Sequence, residues 1–349
     1  MLRNLLNHFR CDLAVDLGTA NTVVCLAGEG VVLNEPSVVA VQRGAKKILS
    51  GGCAVGHLAK QMEGRTPERL SVVRPLRDGV IADFELCEAM LRYFFRKARP
   101  PGKRLRPRVL VGTPGGITPV EKRAVFNSVH RAGASRVWIM PEVKAASIGV
   151  GLPIAEPTAS MVCRLGAGTT ETAVMSLGDN VAATSIRTGG DRMDQAIVDY
   201  LRRHYSLRIG QTTAERLKLD IGSAFPLDEE RSVELSGIDS VTGLPRRVTI
   251  TSEEARDAMA DPLQAIIESI KAALDHCSPE LASDLVHNGL VLCGGGALLR
   301  GIDRFIAEQT GLPVRAAADP LTAVARGLLV CMEDLRQWRH WMHSSEEDV

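Results

Sequence analysis

From residue 12 onward the chain alternates short runs of β-branched and other apolar residues with stretches in which apolar residues recur every three or four positions. These two periods separate strands from amphipathic helices. Asp12 to Leu26 reads as two strands around a glycine-containing turn, and Gly30 to Val41 as further strand interrupted at Asn34-Glu35-Pro36. Residues 85–98 have helical spacing, and the charged, Pro-rich stretch Arg96 to Pro107 ends that helix. A strand at 108–112, a helix at 119–132, a strand at 136–140 and a helix at 142–150 follow. The pattern then restarts. Ser160 to Leu165, Gly166-Ala167-Gly168-Thr169-Thr170 and Glu171 to Leu177 again give strand, small-residue turn, strand. A helix at 191–205, a polar insertion at about 212–251, one long helix at 253–276, a strand at 289–293 and helices at 298–311 and 321–336 complete the chain. The restart predicts two duplicated α/β domains packed face to face.

Composition agrees with that reading. At 349 residues the chain is long enough for two domains, and with 4% aromatics its core falls to Val, Leu, Ile and Ala. Lys and Arg number 42 against 41 Asp and Glu, a net charge of +1 that argues against wrapping nucleic acid by bulk charge. The eight cysteines form no CxxC pair and several lie in apolar runs, which predicts reduced, buried thiols in a cytoplasmic protein. No stretch reaches the ~18 apolar residues of a membrane span.

The candidate chemistry lies in the turns. Asp16-Leu17-Gly18-Thr19-Ala20-Asn21-Thr22 puts a carboxylate at a strand end and small residues in the hairpin, where backbone N–H groups and a hydroxyl can approach phosphate oxygens. Gly166 to Thr170 repeats that chemistry in the second half, and Cys293-Gly294-Gly295-Gly296-Ala297-Leu298 joins an apolar strand to a helix where backbone can approach a base or sugar. Together they describe a split nucleotide clamp; singly, each is equally a structural turn.

With these turns, Val31 to Ala40, Asp78 to Phe84, Thr213 to Lys218, Thr242 to Pro245, Gly294 to Leu299 and Asp319 to Ala325 resemble the MreB family of bacterial actin-like proteins, over about residues 12 to 330. The resemblance implies an actin-like fold of the actin/Hsp70/hexokinase superfamily, with a nucleotide cleft between two duplicated α/β domains, each carrying a smaller subdomain. It implies larger subdomains at 12–33, 78–146 and 331–349 and at 147–183 and 252–330, and smaller ones at 34–77 and 184–251. Carried over residue by residue, Asp16 is the acid near metal-bound phosphates, and Gly18, Thr19, Ala20 and Asn21 belong to the first phosphate loop. Gly166, Gly168, Thr169 and Thr170 form the second loop. Glu215, Arg216 and Lys218 stand at ribose and adenine positions, and Gly294, Gly295, Gly296, Ala297 and Leu298 at the adenosine turn. Glu142, with Thr169, is placed at the attacking water. The implied cofactors are ATP and Mg2+; the implied partners are further copies in a filament, the inner membrane surface and rod-complex membrane proteins.

The chain departs from the family pattern at two places. Arg164-Leu165-Gly166-Ala167 stands where the second loop usually reads Asp-Ile-Gly-Gly, exchanging an anion for a cation, a change of about 8 kcal/mol for a charge 4 Å away at an effective dielectric near 20, before relaxation. The exchange disfavours a divalent ion, attracts phosphate and predicts retained nucleotide binding with slow or absent hydrolysis; Ala167 adds a methyl where a positive φ would strain it. Pro141-Glu142-Val143-Lys144 replaces Glu-Glu-Pro-Met, adding a base beside Glu142. At the N-terminus, residues 1–11 hold Leu2, Leu5, Leu6 and Phe9 on one helical face, an amphipathic helix that would lie in a membrane interface. Leu335, Trp338, Trp341 and Met342 also have helical spacing, predicting a final helix packed on the first half. A soluble ATPase of the same fold is the competing class, but no sugar-binding cluster or peptide-binding domain is visible.

Overall fold

The structure, a computed structural model, describes residues 11–43, 55–103 and 105–344. The predicted N-terminal helix therefore lies outside the described residues. The chain forms two compact units, residues 1–152 with 321–349 and residues 153–320.

In the first unit, β1 (Asp12–Leu17), β2 (Asn21–Leu26) and β3 (Gly30–Pro36) form an antiparallel meander, followed by the short β4 (Val39–Gln42), β5 (Leu70–Val73), β6 (Leu76–Arg77) and β7 (Val80–Ile81). β8 (Arg108–Thr113) and β9 (Arg136–Pro141) continue the sheet parallel to β1. Parallel central strands need cover on both faces, and β1 and β8 accordingly carry the buried apolar runs Leu13-Ala14-Val15 and Val109-Leu110-Val111. The helices Phe84–Ala98 and Pro119–Arg131 bury Leu91, Phe94 and Val129 in the core with Leu13, Val15, Val109 and Val111. Thr118 and Glu121 close a capping box at the start of the second of these helices, with Pro119 in its first turn.

The second unit repeats the plan. β10 (Ser160–Leu165), β11 (Thr170–Ser176) and β12 (Asp179–Ile186) form the meander. β13 (Leu207–Arg208), β14 (Ser232–Asp239) and β15 (Pro245–Thr251) make a small separate sheet, and β16 (Leu290–Cys293) and β17 (Val314–Ala316) extend the main one in the order β12-β11-β10-β16-β17. The first unit's order is β18 (His343–Ser344), then β9-β8-β1-β2-β3, so β8-β1-β2-β3 and β16-β10-β11-β12 are one topology used twice. A separate apolar core, including Met161, Val174, Ile197, Ile267 and Leu292, fills the second unit.

The boundaries differ from those predicted. Residues 147–152 and 321–330 belong to the first unit, because the helices Glu142–Gly149 and Ala323–Glu333 touch through glycine. A Cβ on Gly327 would overlap the carbonyl oxygen of Ala145, and one on Gly149 that of Ala323. The long helix expected at 253–276 is two, Ser252–Ala258 and Ala260–Asp275, separated at Met259 (φ −89°, ψ 0°). The helix expected at 298–311 is a 3-10 turn, Gly295–Leu298, then the helix Ile302–Thr310. The C-terminal aromatic segment does pack in the first unit, but as a 3-10 turn at Arg339–Trp341 and the two-residue β18 (His343–Ser344) on the edge of β9. Lys144 lies 5.1 Å from the Trp341 ring; it serves this C-terminal packing. Among the described cysteines, burial pushes Cys25, Cys87, Cys163 and Cys331 up to about 12, which removes them as thiolates. No helix among the described residues is long and apolar enough to cross a membrane.

Candidate functional site

The two meanders place their turns identically. Asp16, the penultimate residue of β1, stands opposite Val23 and beside Gly112, and Arg164, the penultimate residue of β10, stands opposite Glu171 and beside Cys293. A glycine follows two positions later, and the same clash requires it in each unit. A Cβ on Gly18 would meet the Asn21 carbonyl oxygen at 2.6 Å, and one on Gly166 the Thr169 carbonyl oxygen at 2.8 Å. The glycines are needed for close backbone approach, not for a left-handed φ. Ala167 likewise has no positive φ, since Asp78, Leu177 and Ser206 are the only non-glycine residues that do among those described. The strain expected from its methyl is therefore absent.

Each turn is held by a fully buried threonine at its far end. Thr22 shares a 2.9 Å hydrogen bond with the Ser37 hydroxyl, just after β3, and Ser37 also donates to the Gly18 carbonyl at 2.7 Å and from its backbone N–H to Ala20. Thr170 donates to the Thr188 carbonyl at 2.7 Å, just after β12, while the N–H groups of Gly190 and Asp191 donate to Gly166 and Ala167. Thr19 accepts from the Gly79 N–H at 3.1 Å, and Asn21 donates to the Asn34 side chain. Both turns are thus preformed.

Within the first unit, Glu142 opens its helix directly after β9, is 1% exposed, and packs over Gly112, the β8 neighbour of Asp16. Asp16 and Glu142 are therefore separated by one strand.

Within the second unit the loop, the helix start at Gly190 and the helix Gln211–Ile221 meet. Lys218 donates to the Gly190 carbonyl at 3.0 Å and pairs with Asp194 at 2.7 Å. Burial outweighs this lysine and pushes the Asp194 carboxyl up to about 6. Lys218 thus fastens its helix to the start of the helix Gly190–Tyr205, whose first N–H groups hold the loop, with half-buried Glu215 one turn before it and Arg216 exposed. Gly294 (φ 81°) lies against the Leu165 carbonyl and donates to Pro320, placing the Gly294–Leu298 turn beside the loop; Ala297 is buried and Leu298 exposed. Ser37, Thr188 and Asp194 were not singled out from sequence. The Thr188-Gly189-Gly190-Asp191 run before an amphipathic helix is the available signal for Thr188.

Arg164 is 7% exposed and donates from Nη1 to the Thr169 hydroxyl at 3.1 Å. Residues 164–170 contain no carboxylate. A divalent ion is held by oxygen donors, commonly carboxylates, so the donors of this turn do not fit one. Asp16 is the carboxylate of the other.

Residues 10–340 match the protein family described as MreB/Mbl protein. The chain is 50% identical over 328 residues to the cell shape-determining protein MreB of Escherichia coli (strain K12), covering 94% of each. It is 43% identical to the cell shape-determining protein Mbl of Bacillus cereus (strain ATCC 10987 / NRS 248), covering 94% of this chain and 97% of that one. Among solved structures, MreB 5 of Spiroplasma citri bound to AMPPNP superposes with a TM-score of 0.88 at 36% identity, covering 95% of this chain and 98% of the other. The MamK double helical filament superposes with a TM-score of 0.78 at 22% identity over 93% of this chain and 99% of the other, a likeness of fold alone. The fold is actin-like, and the chain belongs to the MreB/Mbl family.

Proposed function

We propose that this chain is an ATP-binding cytoskeletal subunit that assembles with its own copies into filaments at the inner face of the cytoplasmic membrane and helps determine rod shape by organising cell-wall synthesis. The observation that carries the reading is the pair of preformed glycine turns in equivalent places, each sterically closed to a side chain where backbone must approach a phosphate. The similar MreB 5 was solved with AMPPNP and with ADP bound, which supports the same ligand class here. In this reading Gly18 to Asn21 and Gly166 to Thr170 hold the phosphates, and Gly294 to Leu298 with Glu215 and Arg216 hold the nucleoside. Lys218 acts as a positioning residue through Gly190 and Asp194. The N-terminal face of Leu2, Leu5, Leu6 and Phe9 supplies the membrane contact, and rod-complex membrane proteins are the partners.

Sedimentation with ATP, with and without lipid vesicles, tests the reading: pelleting that depends on nucleotide and is enhanced by vesicles is expected, and a chain that neither binds ATP nor pellets would refute it.

Arg164 favours a second reading of the same site, a hydrolysis-impaired family member that modulates filaments of an active homologue. Hydrolysis requires Glu142 to orient water towards a phosphate whose charge is being redistributed, and the buried guanidinium bonded to Thr169 alters that charge. Slow ATP turnover, little changed by Glu142→Ala, is expected. Turnover at an ordinary family rate that Glu142→Ala abolishes would exclude the second reading, as would pelleting independent of the homologue.

A further inference from the structure

We propose that the second turn is a metal-free phosphate cradle, in which Arg164, acting with Thr169, supplies the positive charge that a divalent cation would bring, so that nucleotide binds equally well without one. The inference rests on the nucleotide reading above and adds the form in which the nucleotide is taken.

The equivalent positions of the two units carry opposite charge, Asp16 in one and Arg164 in the other; both are buried, but Asp16 faces the apolar Val23 whereas Arg164 faces a charged residue. Glu171, 1% exposed, stands opposite Arg164 in the β10–β11 register. That row contains one acid and one base, so it has no excess negative charge for a cation to offset. A guanidinium keeps its charge at any working pH. Its Nη1 hydrogen occupies an acceptor lone pair of Thr169, which leaves the Thr169 hydroxyl hydrogen to be donated to a phosphate oxygen. The same nitrogen lies 3.0 Å from where a Gly166 Cβ would stand, so the charge is packed directly against the loop backbone. A divalent ion gains nothing from this balanced row, whereas a phosphate oxygen can accept directly from the guanidinium and from the Thr169 hydroxyl.

The test is equilibrium binding of a fluorescent ATP analogue to the full chain in excess Mg2+ and in excess EDTA. Dissociation constants within about threefold of each other are expected for the native chain, whereas Arg164→Gln should weaken binding in EDTA by about tenfold or more, as expected on losing a charged hydrogen-bonding group. Arg164→Lys, which retains the charge, should keep most of the EDTA affinity. Loss of native binding on EDTA by tenfold, with tight binding in Mg2+, overturns the inference and leaves the nucleotide reading standing. Absence of binding in both buffers overturns the nucleotide reading and the inference with it. Should Arg164→Gln fail to fold, the native comparison and Arg164→Lys still decide.

Discussion

Ser37 makes three bonds to one hairpin, through its hydroxyl to Thr22 and Gly18 and through its N–H to Ala20. A buried serine so placed fixes backbone that would otherwise face a ligand with several conformations. Ser37→Ala leaves the Gly18 carbonyl and Thr22 hydroxyl short of a partner, an expected loss of about 1–3 kcal/mol in stability. Chemical denaturation measures that loss, and nucleotide affinity should fall in parallel; an unchanged affinity would separate the hairpin from ligand binding. Asp194 acts on the second turn by a titratable route. Its carboxyl is pushed up to about 6 by burial, whereas an unfolded aspartate titrates near ~3.9. Between those values the folded chain retains a proton that the unfolded chain has released, so this group's contribution to stability falls as pH rises from about 4 to about 6 and is constant above. Denaturation across that window should show the native chain losing on the order of 2 kcal/mol relative to Asp194→Asn. A pH-independent difference would mean that Lys218 keeps Asp194 ionised throughout.

At the scale of elements, the crossing of the helices Glu142–Gly149 and Ala323–Glu333 fixes where Glu142 sits. Neither helix can shift away from a new methyl at Gly327 without moving Glu142 off Gly112 and Leu328 out of the core. Gly327→Ala should therefore cost about 3 kcal/mol and lower the melting temperature, while a neutral result would show that the helices separate easily. Gly149 and Gly327 carry no turn signal, and a sequence pattern of single helices does not reveal which backbones touch; for that reason the boundaries at 147 and 331 were displaced. The meanders were legible because alternation and glycine turns are local, and Glu142 at a helix start was legible for the same cause. Met259 has neither Gly nor Pro to mark the break, although Asp261-Pro262 is a helix-start signal that could have found it. Trp338 and Trp341 are spaced for a helix, yet β9 offers an open edge that β18 closes and Lys144 offers its charge to the indole face, so tertiary packing prevails. Arg164 was legible as a cation, but its bond to Thr169 and its place opposite Glu171 depend on strand register.

For the whole molecule, near-zero net charge bears on the proposed self-association. Two subunits of charge +1 repel by only about 0.1 kcal/mol at a separation of roughly 50 Å in water. Long-range charge therefore neither drives nor opposes assembly, and stacking depends on short-range contacts. Screening shortens the reach of charge from roughly 10 Å at 0.1 M salt to about 3 Å at 1 M, so it weakens only those contacts made by exposed ion pairs, each worth less than ~1 kcal/mol. The critical concentration for pelleting with ATP should accordingly change by less than about threefold between 0.05 and 0.5 M salt. A rise of tenfold or more would show that complementary charged surfaces, masked in the net figure by equal numbers of both signs, hold the subunits together.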